Sequence, residues 1–462
     1  MIQFANNKVG GHIAYLKFRS KKMDQPFQMP TSRYEPAIDS HFPRVNQNYP
    51  IDVSIARKSW VVLYPTNHDT DYLKDSFVEF MIDSEQGSFI DFGSFNIEYN
   101  LRLLKADGTP VAGDASVVLT NGLIHTLSTS RKLFLNTELI ESDYQTNYTQ
   151  YVNFLTTTDV ETIIMQGKPM GYFHEEDIIN ATNTKAEFAG AGESYIPRRI
   201  RYAKQENIQL YGPLNLDIGK SNMMMIDRVN ARLHLELADT SQLVLKASDD
   251  ATNYKIKIFS VKLHFKRITP VENAYLELNK SLLSNNLEYN FERNLVYKTT
   301  VGINQRQVFL SQIFGTLIPN KLHIMMVNQK ASIGDDKLNS HYFGHFKLDN
   351  IRVSANGLTM LDSDVSFTNK YSALYQRSTD ALRTKAHSIP FGHFNAGRTI
   401  ITVDCQNSET NSIMQIEKRG RLEIHMKFSA PLEDAINIII LGTTVGSVSI
   451  DKDRRVTTHY NY

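Results

Sequence analysis

Phe95-Asn-Ile-Glu-Tyr-Asn-Leu-Arg-Leu-Leu-Lys-Ala-Asp-Gly108 is the stretch that decides the fold class. Phe95, Ile97, Tyr99, Leu101 and Leu103 alternate with Asn96, Glu98, Asn100 and Arg102. That period of two puts the apolar side chains on one face of an extended strand and the polar ones on the other. Leu104 breaks the alternation just before a turn signal at Asp107-Gly108. The same alternation recurs at Val229, Ala231, Leu233, Leu235 and Leu237, at Tyr254, Ile256 and Ile258, at Val261, Leu263 and Phe265, and at Leu422, Ile424, Met426 and Phe428. Strands with one apolar and one polar face belong to antiparallel sheets. Helical spacing is confined to Tyr148–Leu155, Val271–Leu283 after Pro270, and Tyr371–Leu382. Strands and helices do not alternate along the chain, which excludes a parallel α/β sheet and leaves an all-β, two-layer architecture with a few short helices in loops.

The 462 residues suffice for two or three domains. With 41% apolar and 21% charged residues the chain can build sizeable cores. Lys plus Arg is 50 against 49 Asp plus Glu, so no global field points to nucleic acid or an anionic membrane. The longest apolar run, Ile436–Leu441 broken at Asn437, is far short of the ~18 residues of a membrane span. Met1–Asn7 lacks the apolar core of a cleaved leader. Cys405 stands alone, so no intrachain disulfide and no cysteine-based zinc site are expected, as in a chain made in a reducing compartment. Sequons at Asn147, Asn180 and Asn279 are read as chance in an Asn-rich chain.

The order of parts repeats. Lys132–Ile140 reads as strand, tight turn at Asn136 and strand; a helical stretch follows, and later comes Ala231–Leu237. Ile351–Met360 reads the same way around Asn356, with a helical stretch and then Gly420–Met426 after it. Matching Arg232 to Arg421 makes the first copy 31 residues longer, and the extra chain is placed at about 157–204. The expected organisation is an N-terminal arm over 1–50, rich in proline, a first unit over 51–270, a linker over 271–286 and a second unit over 287–462.

Several blocks in order resemble one protein family. Phe95–Gly108, Val117–Leu127, Leu133–Asn136, Tyr148–Leu155, Gly212–Ile218, Val229–Leu237, Pro319–Val327, Phe343–Val353, Gly420–Ile440 and Ile450–Arg454 resemble the double jelly-roll, hexon-like major capsid proteins of polinton-type elements, adintoviruses and adomaviruses. The resemblance spans about residues 58–456. It implies two consecutive antiparallel eight-stranded jelly rolls, and a structural protein without cofactor that forms homotrimeric, pseudo-hexameric capsomers. Those capsomers would tile an icosahedral DNA-containing shell in a virion assembled inside the host cell, contacting neighbouring capsomers, penton and minor capsid proteins. The rival expectations are a single-barrel vertex or attachment protein that binds a glycan or partner, and a cupin-like metalloenzyme.

Lys8, Lys17, Arg19, Lys21 and Lys22 precede the first acidic residue, Asp24, so the arm carries a local charge able to touch DNA phosphates without sequence preference. Pro197-Arg-Arg-Ile-Arg201 is a second basic cluster. His341 and His345 are too far apart in a strand to share an ion; the second half offers His387 and His393 as well, but packing beside tight turns is the expected role. Met223–Met225 reads as filler at a strand end, and Glu175–Asp177 and Asp249-Asp250 as surface turns without calcium-loop spacing. No nucleophile elbow and no phosphate-binding loop occurs.

Overall fold

The computed structural model describes residues 54–67, 77–113, 115–173, 207–364, 371–384, 386–406 and 417–460. The chain divides into Met1–Ile51, which lies outside the described residues, and Asp52–Tyr462. Asp52–Tyr462 begins with β1 (Ile55–Leu63), β2 (Phe77–Ile82), β3 (Phe89–Lys105), β4 (Val117–Leu119), β5 (Ser128–Leu135), β6 (Glu138–Asp143), β7 (Ile208–Pro213), β8 (Ala231–Leu237), β9 (Val244–Lys246) and β10 (Tyr254–Pro270). The helix Glu272–Leu282 follows. Then come β11 (Leu287–Val301), β12 (Gln307–Ser311), β13 (Leu317–Ile318), β14 (Lys321–Asn328), β15 (Leu348–Ala355), β16 (Leu358–Asp364), β17 (Ile401–Asp404), β18 (Lys418–Arg419), β19 (Leu422–Phe428), β20 (Ile436–Ile450) and β21 (Val456–Thr458).

The first half folds into two four-stranded sheets, β1-β10-β3-β7 and β2-β8-β5-β6; the second repeats them as β11-β20-β14-β17 and β12-β19-β15-β16, with β21 added beside β20. All of these pairings are antiparallel. Setting aside the short pairs β4-β9 and β13-β18, eight strands per half are ordered 1-8-3-6 and 2-7-4-5. This is the jelly-roll order, twice, in agreement with the fold class expected from the alternation. The cores follow the same period: Leu233 and Leu235 on β8 are fully buried, with Val78 and Phe80 beside them on β2, while His234 between them turns outward.

The two copies match in detail at one turn. Asn136 and Asn356 both adopt left-handed backbone, at φ 52° and 51°, a region that asparagine tolerates better than most side chains. The Asn136 carboxamide oxygen accepts from the Asn230 amide at 3.0 Å, and that of Asn356 accepts from the Arg421 amide at 2.8 Å. Just inside the turns, Leu135 pairs with Ala231 and Ala355 with Leu422. The equivalent of Arg421 is therefore Asn230, two residues before Arg232. The paired residues are 94 apart in the first copy and 65 in the second, so the first copy is longer by 29 residues, not 31. A slip of two leaves every side chain on its correct face, which is why alternation could not detect it.

Candidate assembly surfaces

The described residues present a built joint between the two sandwiches and a polar outer sheet face on the first. The joint rests on the helix Thr146–Thr157, which leaves the first sandwich after β6 and is buried at every position but Asn153 and Thr157. The Tyr148 and Tyr151 rings lie 5.2 and 5.1 Å from the His341 ring, and the Ser388 amide donates to the Leu155 carbonyl at 2.8 Å. A cavity of about 390 Å³ separates Asn153, Thr156 and Thr157 on this helix from Asn294, Lys321, His323 and Thr443 on the β11-β20-β14-β17 sheet. The pairing register puts Asn294, Thr443 and Lys321 in one row. The row of Lys298, Ile439 and Met325, four residues along, shares their face, and the Lys298 ammonium reaches the Gln145 carboxamide beside the helix start at 3.4 Å. A loop of the first sandwich thus covers the outer face of a sheet in the second. The second sandwich reciprocates: Tyr289, Phe291, Val448 and Ile450 belong to the hydrophobic cluster of the first. The Arg454 guanidinium donates to Asp227 at 2.8 Å and to Asn279 at 3.0 Å, and Asp227 is fully buried.

Sequence reasoning missed a buried charge network at the edge of this joint. Arg131 on β5 is wholly buried, pairs with Glu141 on β6 and donates to the Leu214 carbonyl at 2.6 Å. The Asp217 amide donates to Glu141 at 2.9 Å, and the Asp217 carboxylate accepts from the Asn294 amide of β11 at 2.9 Å. Burial pushes the Glu141 carboxyl up, to about 7, against the pull of Arg131. The signal was in the sequence: Arg131 shares its parity on β5 with Leu133 and Leu135, the core-facing positions.

The outer face of β1-β10-β3-β7 is polar by contrast. Lys255, Lys257, Lys262, His264 and Lys266 alternate with buried Ile256, Ile258, Leu263 and Phe265 on either side of a register shift between Ile258 and Ser260. Glu98 on β3 accepts from Lys262 and Gln209 at 3.0 Å and pairs with His264 at 3.0 Å. Partial burial pushes its carboxyl up, but the bonds from Lys262, Gln209 and His264 outweigh that and hold it below its usual range. Trp60 and Val62 on the edge strand β1 are 56% and 45% exposed, with the Lys266 ammonium 5.1 Å from the Trp60 ring.

Lys8, Lys17, Arg19, Lys21, Lys22, Asn180, Pro197–Arg201 and Glu175–Asp177 lie outside the described residues. His341 and His345 sit in a turn rather than a strand: His341 is caged by Tyr148 and Tyr151 and bonded to the Ser340 hydroxyl at 2.9 Å, whereas His345 stacks on Tyr371. Burial holds His341 near a pKa of about 3, so it stays neutral and works as a packing ring. The His393 Nδ1 lies 3.2 Å from the buried Arg398 guanidinium. Among the described residues no group of three or more His, Cys, Asp or Glu is placed to hold a metal ion. Met225 is buried and pairs with Ile90, while Met223 is exposed. Asp250 accepts from the Tyr254 hydroxyl at 2.7 Å and the Thr252 amide at 3.0 Å, closing a turn. Asn147 is buried in the joint helix, and Asn279 holds Arg454. Burial raises the Cys405 thiol to about 12, which keeps it protonated. No helix among the described residues is long and apolar enough to cross a membrane.

No protein-family model matches the chain. No curated protein matches it in sequence either. Solved structures do. A chain of the Sputnik virophage, determined by cryo-EM, superposes with a TM-score of 0.58 at 10% identity, covering 92% of each chain. The faustovirus major capsid protein gives 0.58 at 8% identity over 88% of this chain and 92% of its own. The mavirus major capsid protein gives 0.51 at 9% identity over 95% and 96%. Two jelly rolls in tandem, joined through a helix of the first, make this chain's fold that of the double jelly-roll major capsid proteins.

Proposed function

We propose that the chain is the major structural protein of an icosahedral, DNA-containing shell and self-associates as a trimer of two-sandwich subunits. The observation that carries this reading is the pair of complete eight-stranded jelly rolls with identical strand order in one chain, six per trimer and hence a pseudo-hexagonal capsomer. The fold likeness to the faustovirus and mavirus major capsid proteins supports it. Two sandwiches per chain favour it over a single-barrel vertex or attachment protein. The function is contact between subunits, capsomers, and penton and minor capsid proteins in the virion, with no catalytic step and no cofactor. Obligate interfaces of this kind bury on the order of 2,000–5,000 Å². The basic arm with Lys8, Lys17, Arg19, Lys21 and Lys22 contacts packaged DNA by charge, so that contact weakens as salt rises. Light scattering on purified full-length protein tests the reading: a three-subunit mass at micromolar concentration, with pseudo-hexagonal particles by electron microscopy, is expected. A stable monomer that never forms shells would refute it.

A further inference from the structure

The cavity between the helix Thr146–Thr157 and the β11-β20-β14-β17 sheet is lined by a cation whose acidic neighbours are engaged elsewhere. Lys321 opens β14 and is half-buried there. Its ammonium donates to the Leu382 carbonyl at 3.1 Å, and among the described residues it meets no carboxylate within ion-pair distance. Asp217 is held by Lys220 at 2.9 Å and by the Asn294 carboxamide at 2.6 Å, and Asp404 by Arg383. Burial pushes the Lys321 ammonium below its ordinary range, as expected of a charge that water reaches poorly. His323 lies two residues along, on the same face of β14, and is 5% exposed. Its Nδ1 lies 3.0 Å from the Thr402 hydroxyl, which leaves Nε2 for the cavity. Burial, with Lys321 nearby, holds this imidazole near a pKa of about 3, so it stays neutral. Thr443 pairs with Lys321 across the sheet, and Asn153 faces them from the helix of the first sandwich. Groups able to donate hydrogen bonds thus reach one cavity of about 390 Å³ from both sandwiches, a volume within the ~300–1,000 Å³ of small-molecule sites.

We propose that this cavity binds a small phosphate group, as the free ion or as a phosphomonoester, and that the bound anion ties the two sandwiches together. Lys321 supplies the charge. The Thr402 hydroxyl donates to Nδ1 of His323, which puts the imidazole proton on Nε2, where it donates to the anion. The Thr443 hydroxyl donates from the second sandwich and the Asn153 carboxamide from the first. A phosphate carries close to two negative charges and three strong acceptor oxygens, so it can accept from all of these directions at once. A neutral ligand would leave the Lys321 charge unmatched, and a cation would be repelled by it. Glu292, exposed at the rim, works against an anion and so gives one of the tests its sign. Because its donors come together only in the folded joint, the anion stabilises the native chain over the unfolded one. The site lies within a single chain, so it stands apart from the shell reading and is complete in a monomer.

Calorimetric titration of the full-length chain at neutral pH and fixed ionic strength tests this, with inorganic phosphate and thymidine 5′-monophosphate in separate arms. One saturable site per chain is expected, with a Kd on the order of 1 mM or tighter. Binding of the inorganic ion alone identifies free phosphate as the ligand; equal or tighter binding of the nucleotide identifies a phosphomonoester. The unfolding midpoint should climb with the ligand and not with chloride of the same ionic strength. Lys321→Met keeps the stem and removes the charge, and should weaken binding about tenfold or more. Glu292→Gln, at an exposed position where folding is not at stake, should tighten binding by about threefold. Absence of saturable binding in both arms overturns the proposal, and so does a midpoint that responds equally to chloride. Binding unchanged by Lys321→Met, or not tightened by Glu292→Gln, overturns it as well. None of these readings depends on subunit mass, which light scattering on the same samples reports separately for the shell reading.

Discussion

Strands β10 and β20 hold the same place, eighth of eight and second in their sheets, yet they read differently. β10, Tyr254–Pro270, sets lysines and a histidine against its core residues; β20, Ile436–Ile450, opens with Ile-Asn-Ile-Ile-Ile-Leu and is buried on both faces for its first seven residues. Topology fixes the ladder that each strand joins, and it says nothing of what lies on the outer face. β10 alternates because polar side chains line its outer face, and the isoleucines of β20 run on because the second core covers one of its faces while the helix Thr146–Thr157 and its neighbours lie on the other. Strand composition therefore records tertiary cover rather than position in the sandwich.

The sharpest way to break this comparison is to place a charge on each face of one strand. Leu235 on β8 is fully buried, whereas His234 lies half-exposed with its ring stacked on Phe77. Leu235→Asp puts an unpaired carboxylate in the first core, at a cost of several kcal/mol, and should leave no soluble trimer. His234→Ala should change stability by about 0.5 kcal/mol or little more. Denaturant unfolding and light scattering read both; equal effects would mean that the facing of β8 is wrong.

The next largest effect compares the two cores. Arg131 pairs across the sheet with Leu235, and in the second copy Ile351 pairs with Met426, so arginine and isoleucine are equivalents. Glu141 opposite Leu133 corresponds in the same way to Leu361 opposite Val353. One jelly roll thus uses an ion pair where the other uses two aliphatic side chains. Arg131→Ile alone strands Glu141 without its partner and should cost about 3–5 kcal/mol. Arg131→Ile combined with Glu141→Leu imports the second copy's solution and should recover more than half of that loss, because desolvated charges are removed together. A double variant no better than the single one would show that the network is needed for Asp217 and Asn294 at the joint rather than for the core.

Much of this was legible. Period-two alternation gave the sheets, Asn136 and Asn356 marked equivalent hairpins, and the helical spacings fell where helices form. What escaped had physical reasons. The two-residue slip between copies is invisible to a pattern of period two. Ile436–Leu441 was too short for a membrane span, and its meaning, a strand covered on both faces, depends on which segment covers it. Thr146–Thr157 mixes tyrosines with threonines and asparagines because polar side chains serve a helix surrounded by protein when each finds a partner, as Thr156 does on the Val152 carbonyl. Arg131 could be placed on the core side by parity, but its carboxylate comes from a neighbouring strand that sequence spacing does not identify.

The smallest test returns to the turns that reveal the duplication. Asn136→Ala and Asn356→Ala each force a β-carbon residue without a carboxamide into left-handed backbone and remove one bond to the strand that follows. Together these terms come to about 1–3 kcal/mol in each copy. The surroundings differ in one respect. Beside Asn356, a β-carbon on Gly420 would fall 2.0 Å from the carboxamide oxygen, so that turn requires a glycine; the Asn136 carboxamide instead donates to the Arg454 carbonyl at 3.1 Å, reaching into the other sandwich. Asn136→Ala should therefore loosen the C-terminal segment as well as its own hairpin, read as faster amide exchange at Arg454 and Arg455. Asn356→Ala should change exchange only around its own turn. Identical exchange patterns in the two variants would show that the turns are equivalent in the whole molecule and not merely in their hairpins.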